Sequence, residues 1–262
     1  MTGRGTGVAR SAAPRGALTG WLRCREPRPQ AATRVVCLPH AGGAASFFGP
    51  WTKDMAPDVE LWAVQYPGRE DRFTEPFSTS VENAAAAVAE ALLPFRDRPV
   101  VLFGHSLGAV VAYETARLLE ESYGQPVAHL VVSGRRAPSD FVGGDTHLLP
   151  DESVVAELMR LGGTSEAVLN SPALREAFLP AIRNDFRLAE TYRHRPGAPL
   201  SCPVTAVIGT EDTEVKREQA LRWAEHTSGG FELHELPGGH FYLVPQRQAV
   251  LKLLAACRVP AS

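Results

Sequence analysis

The stretch that decides the fold is Val100-Val-Leu-Phe-Gly-His-Ser-Leu-Gly108-Ala-Val-Val111. A short apolar run ends on glycine, a serine stands two positions later, and a second glycine opens an apolar pattern of helical spacing. Gly104-His105-Ser106-Leu107-Gly108 fits G-x-S-x-G, a pattern short enough to arise by chance, but here it sits between a strand and a helix. In that context the turn strains the serine and exposes its hydroxyl at a sheet edge. The flanking glycines let strand and helix approach without Cβ clashes, and the helix N-terminus faces developing negative charge.

Outward from this elbow, apolar runs at Arg34–Leu38, Val59–Gln65, Val100–Phe103, His129–Ser133 and Val204–Ile208, with a further one at Phe231–Leu236, alternate with helical patterns. This is the signature of an α/β fold with a mostly parallel central sheet flanked by helices. A helix is expected over Thr79–Phe95, with Thr79 and Glu82 spaced as a capping box and Pro94 as its end. A second runs from just after Ser106 to Gly124, and a closing helix spans Gln246–Cys257. The seventy residues between Ser133 and Val204 hold no convincing strand. They carry one helical pattern over Asp151–Leu161, stopped by Gly162-Gly163, and another that starts at Ser171-Pro172 and runs to Tyr192 with an interruption at Pro180. Such an insertion, over about 140–200, is a lid or extra packing.

A serine nucleophile needs a base, and the base an orienting carboxylate, in the chain order Ser, Asp or Glu, His. Asp212 follows the run Val204–Ile208, and His240 follows Phe231–Leu236, so both belong with Ser106 at one sheet edge. Glu211 and Glu214 flank Asp212 and compete with it by pattern. Among the histidines, His105 is expected to pack backwards into the fold, His234 and His226 to be surface or core residues, and His194 to lie in a polar connection. The oxyanion hole needs two backbone N–H groups. Leu107 supplies one, and the loop Pro39-His40-Ala41-Gly42-Gly43 the other, with His40 and Ala41 not separable by spacing.

Composition excludes other classes. The 262 residues are 44% apolar and 21% charged, with 27 Lys+Arg against 29 Asp+Glu, so the chain is neither mainly disordered nor a general nucleic-acid binder. Cys24, Cys37, Cys202 and Cys257 are too scattered for a disulfide framework or zinc site, which suits a reducing, cytoplasmic setting. No run approaches the roughly 18 apolar residues of a membrane span. No H-E-x-x-H, Walker-type or strand-embedded G-x-G-x-x-G sequence is present, and Gly3-Arg-Gly5-Thr-Gly7 has no strand before it, so no metal or cofactor is expected. Residues 1–20 read as a disordered basic tail, and 21–262 as one domain, because residues at 106, 212 and 240 must meet.

Five motifs in order, Leu38-Pro-His-Ala-Gly-Gly43, Tyr66-Pro-Gly-Arg-Glu70, Leu102-Phe-Gly-His-Ser-Leu-Gly108, Ser133-Gly-Arg-Arg-Ala-Pro138 and Gly238-Gly-His-Phe-Tyr-Leu243, resemble type II thioesterases. These are the free-standing editing hydrolases of polyketide and nonribosomal peptide assembly lines. The resemblance covers about Trp21 to the C-terminus; the first twenty residues are what family members usually lack. It implies an α/β-hydrolase fold with a helical lid, Ser106 as nucleophile, Asp212 as acid and His240 as base. The implied substrates are acyl groups thioester-linked to the phosphopantetheine arm of an acyl or peptidyl carrier protein. Arg69, Arg72, Arg135 and Arg136 fall in loops that should open beside Ser106, and are read either as docking residues for an acidic carrier or as internal ion pairs. A carboxylesterase or an acyltransferase would use the same triad, whereas a binding module would need a broken one.

Overall fold

The structure, a computed structural model, describes residues 20–257 except 96, 141 and 164–170. The tail expected over residues 1–20 therefore lies outside the described residues, apart from Gly20.

The apolar runs become six strands: β2 (Thr33–Leu38), β3 (Val59–Val64), β4 (Val100–His105), β5 (His129–Ser133), β6 (Val204–Gly209) and β7 (Phe231–Leu236). A two-residue strand, β1 (Leu22–Arg23), precedes them. They form a single sheet in the order β1-β3-β2-β4-β5-β6-β7, with every pair parallel except β1 against β3. Neighbouring parallel strands need long crossovers, and these carry the helices. In chain order the helices are α1 (Trp51–Asp54), α2 (Val81–Leu92), α3 (Leu107–Tyr123), α4 (Asp151–Leu161), α5 (Pro172–Thr191), α6 (Arg217–Leu221) and α7 (Arg247–Ala256).

Side chains alternate across each strand, so the sheet has two cores. Val36, Leu38, Leu102, Leu130 and Val132 face α2 and α3, while Val35, Cys37, Val101, Phe103 and Val131 face Trp51, Val250 and Leu254 on the other side. Layers on both faces explain why the central strands are apolar at every position rather than at every second one. Between β5 and β6, α4 and α5 pack on each other through Val154, Leu158, Leu179, Ile182 and Phe186, a separate small core.

Two local expectations shift. The cap of α2 is Ser80, not Thr79: its hydroxyl accepts from Asn83 N at 3.0 Å, while Asn83 Oδ1 takes the Thr79 amide at 3.4 Å. Burial of Val81, Ala84, Ala85 and Val88 sets that register. Pro180 does not interrupt α5, which runs through it. Its ring is exposed while Leu179 and Ile182 face inward, so the carbonyl it leaves without a helical partner can be hydrated. Among the described residues no helix is long and apolar enough to cross a membrane.

Candidate active site

Every parallel strand presents its C-terminal end to the same sheet edge, and the loops there carry the chemistry. After β4 the chain turns through Ser106 at φ 54° and ψ −113°, one of two positive-φ residues other than glycine among the described residues. The Ser106 amide is fixed to Ser133 O at 2.8 Å. The glycines around it are sterically required. A Cβ on Gly104 would stand 2.1 Å from Gly108 O, and one on Gly108 2.1 Å from Leu38 O.

Loops after β6 and β7 are bonded to each other, Thr210 N to Leu236 O and Glu211 N to Gly238 O, each at 2.9 Å. That stitching brings Asp212 to His240. Asp212 Oδ2 lies 2.9 Å from His240 Nδ1, and Oδ1 accepts the Glu214 amide at 2.8 Å. The carboxylate is fully buried and His240 is 7% exposed. Neither neighbouring acid takes this position, since Glu211 is exposed and Glu214 pairs with Arg160 at 2.5 Å. Ser106 and His240 line one cavity of about 280 Å³, with Leu158, Leu161, Phe186 and Phe241 contributing apolar wall.

His105 lies under the elbow, its Nδ1 2.9 Å from Ser133 Oγ, which in turn is 2.6 Å from Tyr242 OH. Burial, with His240 and His40 nearby, holds it well below the usual imidazole range. The side chain of His40 is likewise held to about 3, by burial first and then by His240 and Arg69. Both imidazoles are neutral spacers. His226 bonds Tyr113 and Ser139, and Tyr113 also reaches His194, away from the cavity, while His234 sits on the exposed part of β7.

In the loop after β2, the amides of Gly43 and Ala45 are committed to His40 O and Gln65 Oε1, and that of Gly42 to Asp185 Oδ2. Those of His40 and Ala41 have no acceptor among the described residues, and both residues line the cavity, as does Ser106 next to Leu107. The four arginines divide. Arg69 is buried and forked onto Asp185 at 2.6 and 2.8 Å; Arg72 is buried, paired with Glu75, and stacked on Trp21. A guanidinium withdrawn in this way cannot dock a partner, so internal pairing describes these two. Arg135 and Arg136 are half-buried in the cavity wall and, among the described residues, their side chains donate only to carbonyls, Ala189 O at 3.1 Å and Glu214 O at 2.8 Å. Sequence reasoning missed Asp185, an acid on an amphipathic helix with nothing nearby in the chain to mark it. Among the described residues no group of three His, Cys, Asp or Glu side chains could hold a metal.

Comparison with known proteins accords with this geometry. Residues 33–257 match the thioesterase domain family. The chain is 48% identical over 227 residues to thioesterase PikA5 of Streptomyces venezuelae, a match that spans 86% of this chain and 81% of that protein. The structure of BorB, the type II thioesterase from the borrelidin biosynthetic cluster, matches at 45% identity with a TM-score of 0.85, over 91% of this chain and 98% of that one. RedJ, a thioesterase from the prodiginine biosynthetic pathway in Streptomyces coelicolor, matches at 36% identity and a TM-score of 0.82, over 95% and 91%. Fold, sheet-edge geometry and these likenesses agree that the chain belongs to the thioesterase family, as a type II thioesterase that hydrolyses thioesters on an α/β-hydrolase frame.

Proposed function

We propose that the protein removes stalled or aberrant acyl groups from the phosphopantetheine arm of acyl or peptidyl carrier proteins in polyketide or nonribosomal peptide biosynthesis. The single observation that carries the chemistry is the strained Ser106 sharing a cavity with His240, whose Nδ1 is held by buried Asp212. Support for the substrate comes from the biosynthetic clusters and pathways named for the relatives.

Asp212 keeps the His240 proton on Nδ1, leaving Nε2 as the base. Ser106 Oγ attacks the thioester carbonyl as Nε2 takes its proton. The oxyanion forms between the Leu107 amide at the N-terminus of α3 and the His40/Ala41 amides. The C–S bond then breaks, and His240 returns the proton to the sulfur. A thiol with a pKa near that of cysteine, about 8.5, leaves more readily than an amine, so deacylation by a His240-activated water carries more of the barrier than in a protease. Helices α4 and α5 act as the lid over this cavity. A carboxylesterase or acyltransferase would form the same acyl-serine and differs only in substrate or acceptor.

The test is hydrolysis of a panel of acyl-phosphopantetheinyl carrier proteins, from acetyl to long-chain, with oxoester substrates and amine acceptors alongside. Turnover of the carrier thioesters by wild type is expected, with kcat lowered roughly 10⁴- to 10⁶-fold in Ser106→Ala. Near-normal hydrolysis by that variant rejects the mechanism, and exclusive oxoester cleavage rejects the substrate class.

A further inference from the structure

Asp185 stands in the middle of α5, 2% exposed, yet its hydrogen-bond partners all belong to other parts of the chain. Its Oδ2 accepts from the Gly42 amide at 2.8 Å and from Arg69 Nη1 at 2.6 Å, and its Oδ1 from Arg69 Nη2 at 2.8 Å. Arg69 Nη1 also donates to Gly43 O at 2.9 Å. The Arg69 carbonyl accepts from Gln65 Nε2 at 3.1 Å, and Gln65 Oε1 accepts from the Ala45 amide at 2.8 Å. Three points of the loop after β2, at Gly42, Gly43 and Ala45, are thus tied to a frame that runs from α5 to the end of β3. The amides of His40 and Ala41 have no acceptor among the described residues, although the His40 carbonyl accepts from the Gly43 amide at 2.9 Å. Contact is also direct, because the place where a Cβ on Gly42 would stand is 2.9 Å from Ile182 Cγ1 of α5.

Burying a carboxylate and a guanidinium costs desolvation that an apolar pair of the same volume would avoid, so stability alone does not account for this choice. What the ion pair adds is direction. A bidentate fork fixes the plane of both groups, and its spare lone pair and spare N–H fix a backbone amide and a backbone carbonyl. We infer that Asp185, acting with Arg69, is a positioning residue for the oxyanion loop, so that the His40 and Ala41 amides are set opposite Leu107 only while α5 is seated. This rests on the assignment of that loop to the oxyanion under the proposed function. The Tyr66-Pro-Gly-Arg-Glu70 run thereby gains a role, delivering Arg69 to the junction of loop and insertion.

Because the contact acts on the transition state and not on the bound substrate, its loss lowers kcat and leaves KM nearly unchanged. The decisive variants are Arg69→Met/Asp185→Leu, which removes both buried charges together, and Asp185→Asn, which keeps the volume. Rates are normalised to active sites titrated with a fluorophosphonate, so unfolded molecules do not count. Expected is a loss in kcat of about 10- to 100-fold with KM within about threefold, since displaced oxyanion donors cost less than deleted ones. Affinity for an acyl trifluoromethyl ketone, which forms a tetrahedral oxyanion on Ser106, should fall by the same factor.

Retention of both kcat and ketone affinity within about threefold in the folded double variant overturns the inference, leaving the pair structural. A rise in KM without loss of kcat overturns it equally. If the double variant does not fold, Asp185→Asn decides by the same two readouts. The ketone binds without reference to the natural acyl donor. A wild type that binds the ketone but ignores carrier thioesters therefore refutes the substrate reading and not this one.

Discussion

Gly108, in the first turn of α3, and Gly124, just past its end, are glycine for different reasons. Gly124 ends the helix at φ 59°, and a methyl there would meet nothing within 4 Å, so alanine costs only the left-handed backbone term, roughly 1–2 kcal/mol. At Gly108 the same methyl would press into the Leu38 carbonyl at 2.1 Å, and the strand or the helix must move. Overpacking of this kind costs about 1–3 kcal/mol or more. Gly124→Ala should therefore lose several degrees of thermal stability, at roughly 2–4 °C per kcal/mol for a chain of this size, and Gly108→Ala more. They should part in activity: Gly108→Ala drops kcat at least about tenfold by shifting the Leu107 amide, and Gly124→Ala keeps it. Equal kcat in both would show that the elbow tolerates the shift. At this scale the sequence speaks clearly where a residue's duty is local. Gly104, Ser106 and Gly108 form a motif, while Asp185 and Arg69, which meet across 116 positions, do not.

The elements follow their apolar patterns closely, and they depart from them where tertiary context decides. Buried strands such as Val100–His105 are legible because both faces demand apolar residues. β1, two residues long, carries no periodicity and exists only because Leu22 and Arg23 lie against Val64 and Ala63. The loops after β3 and β5 each hold two arginines, and the sequence does not tell them apart. Those after β3 are consumed by acids of the chain itself, Asp185 and Glu75; those after β5 face the cavity with no carboxylate partner among the described residues. If the β5 loop steers an acidic carrier, turnover of a carrier-bound acyl group should fall several-fold as salt rises from about 0.05 to 0.5 M. A small soluble acyl thioester should be far less affected, and Arg136→Ala should flatten the difference. Equal salt response of the two substrates removes the steering role.

The whole molecule carries a pH signature set by histidines buried without charge. His40 is held to about 3 and His226 to about 4, chiefly by burial, and His105 lies well below the ordinary value. In the unfolded chain each titrates near about 6.5. Between those limits the unfolded state binds protons that the folded state refuses, so stability rises with pH there. The contribution is complete above about pH 6.5 and is lost progressively as pH falls toward about 4, at roughly 1.4 kcal/mol per pH unit for each fully buried ring. Tm should be level from about pH 8 to 7 and drop steadily from about 6.5 to 4.5, with a shallower slope in His226→Asn whatever its starting stability. A Tm that holds or climbs on acidification contradicts neutral burial.

The residues proposed as a triad also have a history in time. Ser106 and the loop after β2 belong to the first half of the chain, whereas Asp212 and His240 come from its last fifth and are joined by the bonds between the β6 and β7 loops. Synthesis proceeds from the N-terminus. Through most of it the chain holds Ser106 but neither Asp212 nor His240, so the base proposed for the serine is not yet present. Only when β7 adds to the sheet beside β6 does an imidazole arrive with its carboxylate. A nascent or clipped chain that ends before β7 lacks His240, so under the proposed mechanism its Ser106 has no imidazole to take the proton.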